Sequence, residues 1–338
     1  MIYKERYLKM NIAFAGLRHG HVFEIFKGVT NNENYTVLGA FENNEAARKD
    51  AEKQGLICNY STYEELLADE KVEAVVLGGC FGERGGYAIK ALKAGKHVIA
   101  DKPLCTSLDE LDEIEDLTRK TGKKVSLMLT MRFEPIIVAL KEIVDSGALG
   151  RINNVTYGGQ HPLKYGRRPE WYFENGLHGG TINDIAIHGI DILRFIGCPP
   201  MAKIDAAREW NCYAPKAPNF KDSAQYMATL EDGCGVIGDV SYAIPDGIEF
   251  ALPYYWHFYF WGTNGTVSFN YADKQLTYSE KGKREGITVP LKPQRTDYVS
   301  DFLDLVAGKE DVIVPMEDVF ASTREALTIQ KYAAESSK

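Results

Sequence analysis

The alternation within the first 130 residues constrains the fold of this chain more than any other feature. Short apolar runs, NIAFA (11–15), VLGAF (37–41), AVVLGG (74–79), KHVIADKP (96–103) and KVSLMLT (124–130), are spaced by segments of helical character. Among those segments are NEAARKDAEKQG, GGYAIKALKAG and a stretch from Ser107 to about Thr121. Runs this short, rich in β-branched residues and stopped by glycine or proline, read as buried strands. Strands alternating with helices read as βαβ units, which predicts a doubly wound parallel sheet over residues 10–130.

From residue 131 the pattern changes. The helices PIIVALKEIVDSG and HGGTINDIAIHGIDIL (178–193) are followed by longer β-type runs, SAQYMATL, GVIGDVSYAI, YYWHFYFWG and TVSFN. Asp232–Gly233 and Asn264–Gly265 stand between such runs as hairpin signals. Residues 131–338 are therefore expected to form an α+β domain with a large, mostly antiparallel open sheet, closed by an amphipathic helix over 317–334.

A length of 338 residues supports two cores. The net charge of -8 gives no reason to expect a nucleic-acid or anionic-membrane partner. No run reaches the apolar length of a membrane span. The first ten residues, MIYKERYLKM, carry charges where a secretory leader places its apolar core, and the six cysteines show no CxxC or metal-type spacing. A cytoplasmic protein with reduced thiols and no metal is the expectation.

The end of the first strand raises a ligand. A strand that ends in glycine and opens a helix presents free N–H groups and a positive dipole end, where a dinucleotide pyrophosphate sits. The full pattern is G-x-G-x-x-G; the chain has GLRHGH, with Gly16 in place, Arg18 at the second glycine and Gly20 one position early. His19 and His21 are read as residues lining the loop, with no chemical role. Glu42, 26 residues after Gly16 at the end of the second strand, is placed to accept hydrogen bonds from an adenosine ribose and to repel a 2′-phosphate. The loop thus predicts NAD as cofactor, with NADP left open because Arg18 or Arg48 could receive a phosphate.

A second puzzle lies in HGGTINDIAIHGIDIL. At about 100° per residue, Asp184, His188 and Asp191 fall within about 60° of one another, flanked by isoleucines. That narrow polar stripe reads as facing a sheltered pocket, not as a solvated face. Trp171, Tyr172 and His178, just upstream, either line a sugar-binding face or pack.

Several stretches together resemble one family. AGKHVIADKPL (94–104), MRFEPIIVALKEIVDSGALGRI (131–152), GGTINDIAIHGIDIL with its GGxxxDxxxHxxD spacing, and YFWGTNGTVSF are similar, in that order, to segments of the Gfo/Idh/MocA oxidoreductases. The resemblance implies a Rossmann domain, a C-terminal domain with a large open sheet, and an active site in the cleft between them. It also implies that Lys102 is the active-site lysine and that Asp184 and His188 are its Asp/His pair. Three departures stand out: Asp101 for the usual glutamate, the irregular glycine loop, and GGCFGER (78–84), with Cys80 and Arg84 where the family has A-T-P-x-x-x-H.

These residues define a chemistry. Hydride transfer between a carbinol and nicotinamide needs a group that exchanges the hydroxyl proton near neutral pH, the role expected of His188. Asp184 would hold the imidazole, Lys102 would stabilise alkoxide character, and Asp191 and Trp171 would extend the substrate contacts. The leading expectation is an NAD(P)-dependent dehydrogenase or reductase for a sugar, sugar acid or cyclitol. An NAD-dependent glycosidase of the same family type and a non-catalytic nucleotide-binding regulator are the alternatives. In PYYWHFYFW (253–261) aromatic residues fall on both faces of a strand, Tyr254 in line with Trp256 and Tyr255 with His257. An apolar outer sheet face follows, which predicts a homo-oligomer, dimer or tetramer.

Overall fold

β1 (Met10–Ala15) lies between β2 (Tyr35–Phe41) and β3 (Ala74–Leu77), followed by β4 (His97–Ala100) and β5 (Val125–Leu127), in a sheet of order β2-β1-β3-β4-β5. All four pairings are parallel. The computed structural model describes residues 9–248 and 252–337, so most of the N-terminal segment read for a leader lies outside the described residues. The strands are buried almost throughout, which is why they read as continuous apolar runs. Helices α1 (Val22–Thr30), α2 (Glu45–Lys53), α3 (Tyr63–Ala68), α4 (Phe81–Lys93) and α5 (Leu108–Thr121) occupy the connections. Ser107 caps α5 by accepting the Glu110 N–H, and Gly122 ends it in the left-handed region.

This first unit is not one continuous segment. It comprises residues 1–128 and 296–320, so helix α8 (Tyr298–Val306) belongs with the parallel sheet, not with the domain expected over 131–338. The cause is local: Tyr35 Oη donates to the Val299 carbonyl at 2.6 Å, and Gly28 leaves room for the Val299 side chain. Asp301 then fixes the following loop by accepting the N–H groups of Ile313 and Val314.

The second unit, residues 129–295 and 321–338, is built on an eight-stranded sheet. Its strands are β6 (Ile152–Pro162), β7 (Met201–Trp210), β8 (Ser223–Leu230), β9 (Gly235–Ile244), β10 (Trp256–Gly262), β11 (Gly265–Asn270), β12 (Leu276–Glu280) and β13 (Ile287–Val289). They run in the order β13-β12-β11-β10-β6-β9-β8-β7, antiparallel except for the β6–β9 pair. One row across the sheet, Phe258, Tyr157, Gly238 and Tyr226, is buried. The neighbouring row, Tyr259, Thr156, Ile237 and Met227, carries 42%, 44% and 50% exposure at Tyr259, Ile237 and Met227. β10 starts only at Trp256, so the alternation does not reach back: Tyr255 is buried and Tyr254 exposed, the reverse of the strand expectation.

Candidate functional site

The loop after β1 is shaped by close backbone approach. Gly16 has φ 70°, and a Cβ there would stand 2.7 Å from the Gly79 Cα at the end of β3. β1 and β3 flank the point where the strand order reverses, the place where parallel sheets of this kind bind ligands. Gly16 N–H donates to Phe41 O at 3.1 Å and His19 N–H to Gly78 O at 2.9 Å, so the loop is tied to both neighbouring strand ends. Beside Gly20 a Cβ would meet nothing within 4 Å, which leaves the loop open on that flank.

Glu42 completes this frame. It is buried at the end of β2 and accepts the Leu17 N–H at 2.5 Å on one oxygen and the Asn44 N–H at 2.7 Å on the other. Each oxygen keeps a lone pair for a ribose hydroxyl. An open glycine loop with a fixed carboxylate beside it fits a dinucleotide.

The departure at Arg84 has a structural reason. Its fully buried guanidinium donates from Nε to Gly79 O at 3.0 Å, from Nη1 to the carbonyls of Asp101, Lys102 and Pro103 at 2.8, 2.6 and 3.1 Å, and from Nη2 to Asp101 Oδ2 at 2.7 Å. One side chain thereby holds the whole turn after β4, in which the Lys102–Pro103 bond is cis. Lys102 is itself buried at the C-terminal end of the sheet. Burial raises the Asp101 carboxyl, but Arg84 and His19 outweigh it and hold the group well below the usual carboxylate range. His19 Nδ1 also bonds Asp101 Oδ2, and burial pushes the His19 imidazole down to about 4. The donor atoms of His19, His21 and Asp101 come within 4.8 Å of one another, a spacing found in metal sites. The positive charge that Asp101 balances is already supplied by Arg84, so no metal role is assigned.

In the second unit the signature segment is not one regular helix. Residues Ile182–Ala186 form a π-turn, and α7 (Ile187–Phe195) begins after it, following α6 (Pro135–Asp145) in chain order. Two glycines seat it on the sheet: a Cβ at Gly189 would lie 2.2 Å from the Tyr157 ring, and one at Gly159 2.9 Å from Ile185. Tyr157 Oη donates to Ala186 O at 3.1 Å and takes a hydrogen bond from Tyr226 Oη at 2.6 Å. Gln330, on the final helix α9 (Met316–Ser336), caps the turn by accepting the Ile182 N–H at 3.0 Å.

The polar stripe is accordingly divided among three surroundings. Asp184 is buried, and its Oδ2 accepts the Tyr242 hydroxyl and lies 3.5 Å from His178 Nε2. The half-buried His188 ring packs edge-on against Trp256, centroids 5.7 Å apart. Asp191 is buried among donors of its own. Arg132 donates from Nε to its Oδ2 at 2.8 Å and from Nη2 to its Oδ1 at 2.6 Å, and Ser322 adds a third donor at 3.1 Å. Trp171 is 2% exposed, and its ring is tilted against that of Tyr172 with centroids 4.2 Å apart.

Three residues of these frameworks escaped the sequence reading, Arg132, Tyr242 and Gln330, and Arg84 was read only as a departure, without its role. Arg132 carried a signal, since a lone arginine among MRFEPII needs an acid partner, but periodicity cannot say which acid. Tyr242 carried none, because its partners are 58 and 64 residues away.

Comparison with known proteins places this architecture. Residues 10–129 match the oxidoreductase family with an NAD-binding Rossmann fold, and residues 137–268 match the GFO/IDH/MocA C-terminal domain. The chain belongs to the GFO/IDH/MocA oxidoreductase family, and its first unit contains the NAD-binding domain of that family. Among its relatives are the oxidoreductase ORF334 of Rhizobium meliloti, 33% identical over 109 residues (32% of this chain, 33% of the relative), and the levoglucosan dehydrogenase of Pseudarthrobacter phenanthrenivorans, 26% identical over 270 residues (72% of this chain, 68% of the relative). These alignments thus span about one third and about two thirds of the relatives' lengths. The fold is shared with an NAD-binding protein of Listeria innocua at TM-score 0.79 and 22% identity, covering 97% of this chain and 96% of that one. Among the described residues no helix is long and apolar enough to cross a membrane.

Proposed function

We propose that this protein is an NAD-dependent dehydrogenase or reductase acting on a CH–OH group of a polyhydroxylated small molecule, a sugar, sugar acid or cyclitol. The observation that carries the reading is Lys102, a buried cation at the C-terminal edge of the sheet, its turn held by Arg84. A lysine whose backbone is fixed this way is placed to stabilise negative charge that develops on a substrate oxygen during reaction. The relative named for levoglucosan supports the substrate class.

NAD, when bound, accepts or returns the hydride. Gly16, Arg18, Gly20 and Glu42 hold the dinucleotide, with His19 and His21 shaping the loop; Glu42 favours NAD over NADP. His188 takes the hydroxyl proton as the carbinol is oxidised and gives it back in the reverse direction. Asp184 stabilises the charged imidazole, and Lys102 stabilises the alkoxide character of the substrate oxygen. Absorbance of reduced nicotinamide, followed across a panel of sugars, sugar acids and inositols, tests the reading. Turnover of at least one polyol is expected, and none across the panel would overturn it.

The assembly proposed is a homo-oligomer, dimer or tetramer. The support is the exposed row Met227, Ile237 and Tyr259 together with Trp261, which is 50% exposed on the same face. An apolar surface of this kind is favourable only when covered. A cytoplasmic location is proposed on the six cysteines, all of them thiols outside any disulfide.

A further inference from the structure

We infer that Tyr242 and His178 are positioning residues for Asp184, forming a hydrogen-bond chain of fixed direction that orients its carboxylate through Oδ2 and keeps it an anion. The inference rests on the proposed role of the Asp184–His188 pair. Its direction follows from the links in turn. Gly180 N–H donates to His178 Nδ1 at 3.3 Å, so a neutral His178 carries its proton on Nε2. Nε2 lies 2.9 Å from the Tyr242 oxygen and donates to it. The Tyr242 hydroxyl has one proton, and it goes to Asp184 Oδ2. Every link thus donates toward the carboxylate.

The surroundings reinforce this order. The Arg168 guanidinium stands 4.5 Å from the Tyr172 ring centroid and 5.0 Å from that of Tyr242, fixed by the carbonyls of Pro162 and Leu163 at 2.8 Å. Its charge is coupled through space to Asp184 and to the Tyr172 and Tyr242 phenols. Tyr172 and Phe220 wall the His178 ring at 5.3 and 4.9 Å. On its other side His178 lines a cavity of about 220 Å³ with Glu209, Lys221 and Gln330, and the Glu209 carboxyl, raised by burial, is the opposing charge there. Burial also holds the Tyr242 hydroxyl well above its ordinary range, so it stays a donor at every working pH. Tyr242 thus fixes one carboxylate oxygen of Asp184.

The test compares Tyr242→Phe, His178→Gln, Asp184→Asn and His188→Ala in the full chain, each first shown to be folded by its thermal transition. Removing a hydrogen bond to the charged form raises a carboxylate pKa, so in Tyr242→Phe the acid limb of kcat should move up by about one pH unit. Its kcat should fall about tenfold with KM little changed, while His178→Gln, which keeps an N–H donor, should lose less. Ring nitrogen NMR of the cofactor-free protein should show His178 protonated on Nε2. An Nδ1–H tautomer, or a parental kcat and acid limb in Tyr242→Phe while His188→Ala is inactive, would overturn the positioning role alone. Parental turnover in both Asp184→Asn and His188→Ala would overturn the catalytic reading and this inference with it.

Discussion

Arg84 Nη2 and Asp101 Oδ2 lie 2.7 Å apart with both side chains fully buried, and the same guanidinium takes the three carbonyls that run through Lys102. The arginine of GGCFGER and the aspartate of DKP are therefore one unit. The shorter acid is matched by a long, forked cation arriving from α4. Breaking such a pair strands a buried charge, which costs about 3–5 kcal/mol. Arg84→Met should lose that much in urea unfolding, and Arg84→Lys should recover little of it, because an ammonium cannot reach five acceptors in the fork geometry. A loss below about 1 kcal/mol in Arg84→Met would show that the pair does not organise the turn.

The second prediction concerns pH. Burial lowers His19 to about 4 and, with Lys123 and Lys124 adding to it, His97 to about 4, against about 6.5 in an unfolded chain. Between those values the unfolded chain binds more protons than the folded one, so stability rises with pH. The protein should lose stability as pH falls from about 6.5 to about 4. Urea midpoints at pH 7 and pH 5 measure this, and His19→Gln should flatten part of the difference. A midpoint that does not change would contradict the burial of neutral imidazoles.

Much of the first unit was legible in the sequence because buried parallel strands leave an unmistakable mark, apolar runs punctuated by Gly16, Glu42 and Pro103. What was not legible depends on distance along the chain. Residues 296–320 return to the first unit through Tyr35 and Val299, and nothing local in either segment announces that meeting. The polar stripe was visible but the break in its uniform helical projection was not, since the π-turn at Ile182–Ala186 is seated by glycine contacts with residues far away. Asp191 illustrates the limit: periodicity placed it beside His188, but only the fold supplied Arg132.

Cofactor choice gives a third prediction. If Glu42 receives the ribose hydroxyls, NAD should bind at least tenfold more tightly than NADP, about 1.4 kcal/mol. Glu42→Ala should weaken NAD and shrink that ratio, although it also frees the Leu17 and Asn44 N–H groups. Calorimetry with both cofactors measures it, and equal or tighter NADP binding by the parent removes the assigned role.

The sheet face gives a fourth. Replacing Ile237 and Tyr259, two exposed residues in one row, by lysine should break an association built on apolar contact, with little loss of protomer stability. Light scattering at micromolar concentration should show the parent as a dimer or tetramer and the variant as a monomer. A monomeric parent would contradict the proposal.

The central claim is that His188 moves the substrate proton, and it is tested most directly by turnover and NAD affinity measured on one folded variant, His188→Ala. A proton-transfer histidine contributes on the order of 10²–10⁴-fold to turnover. The account predicts a loss in that range with NAD affinity within about twofold of the parent, because His188 belongs to the second unit and the glycine loop to the first. Turnover equal to the parent would contradict it and leave the stripe of Asp184, His188 and Asp191 a purely structural feature.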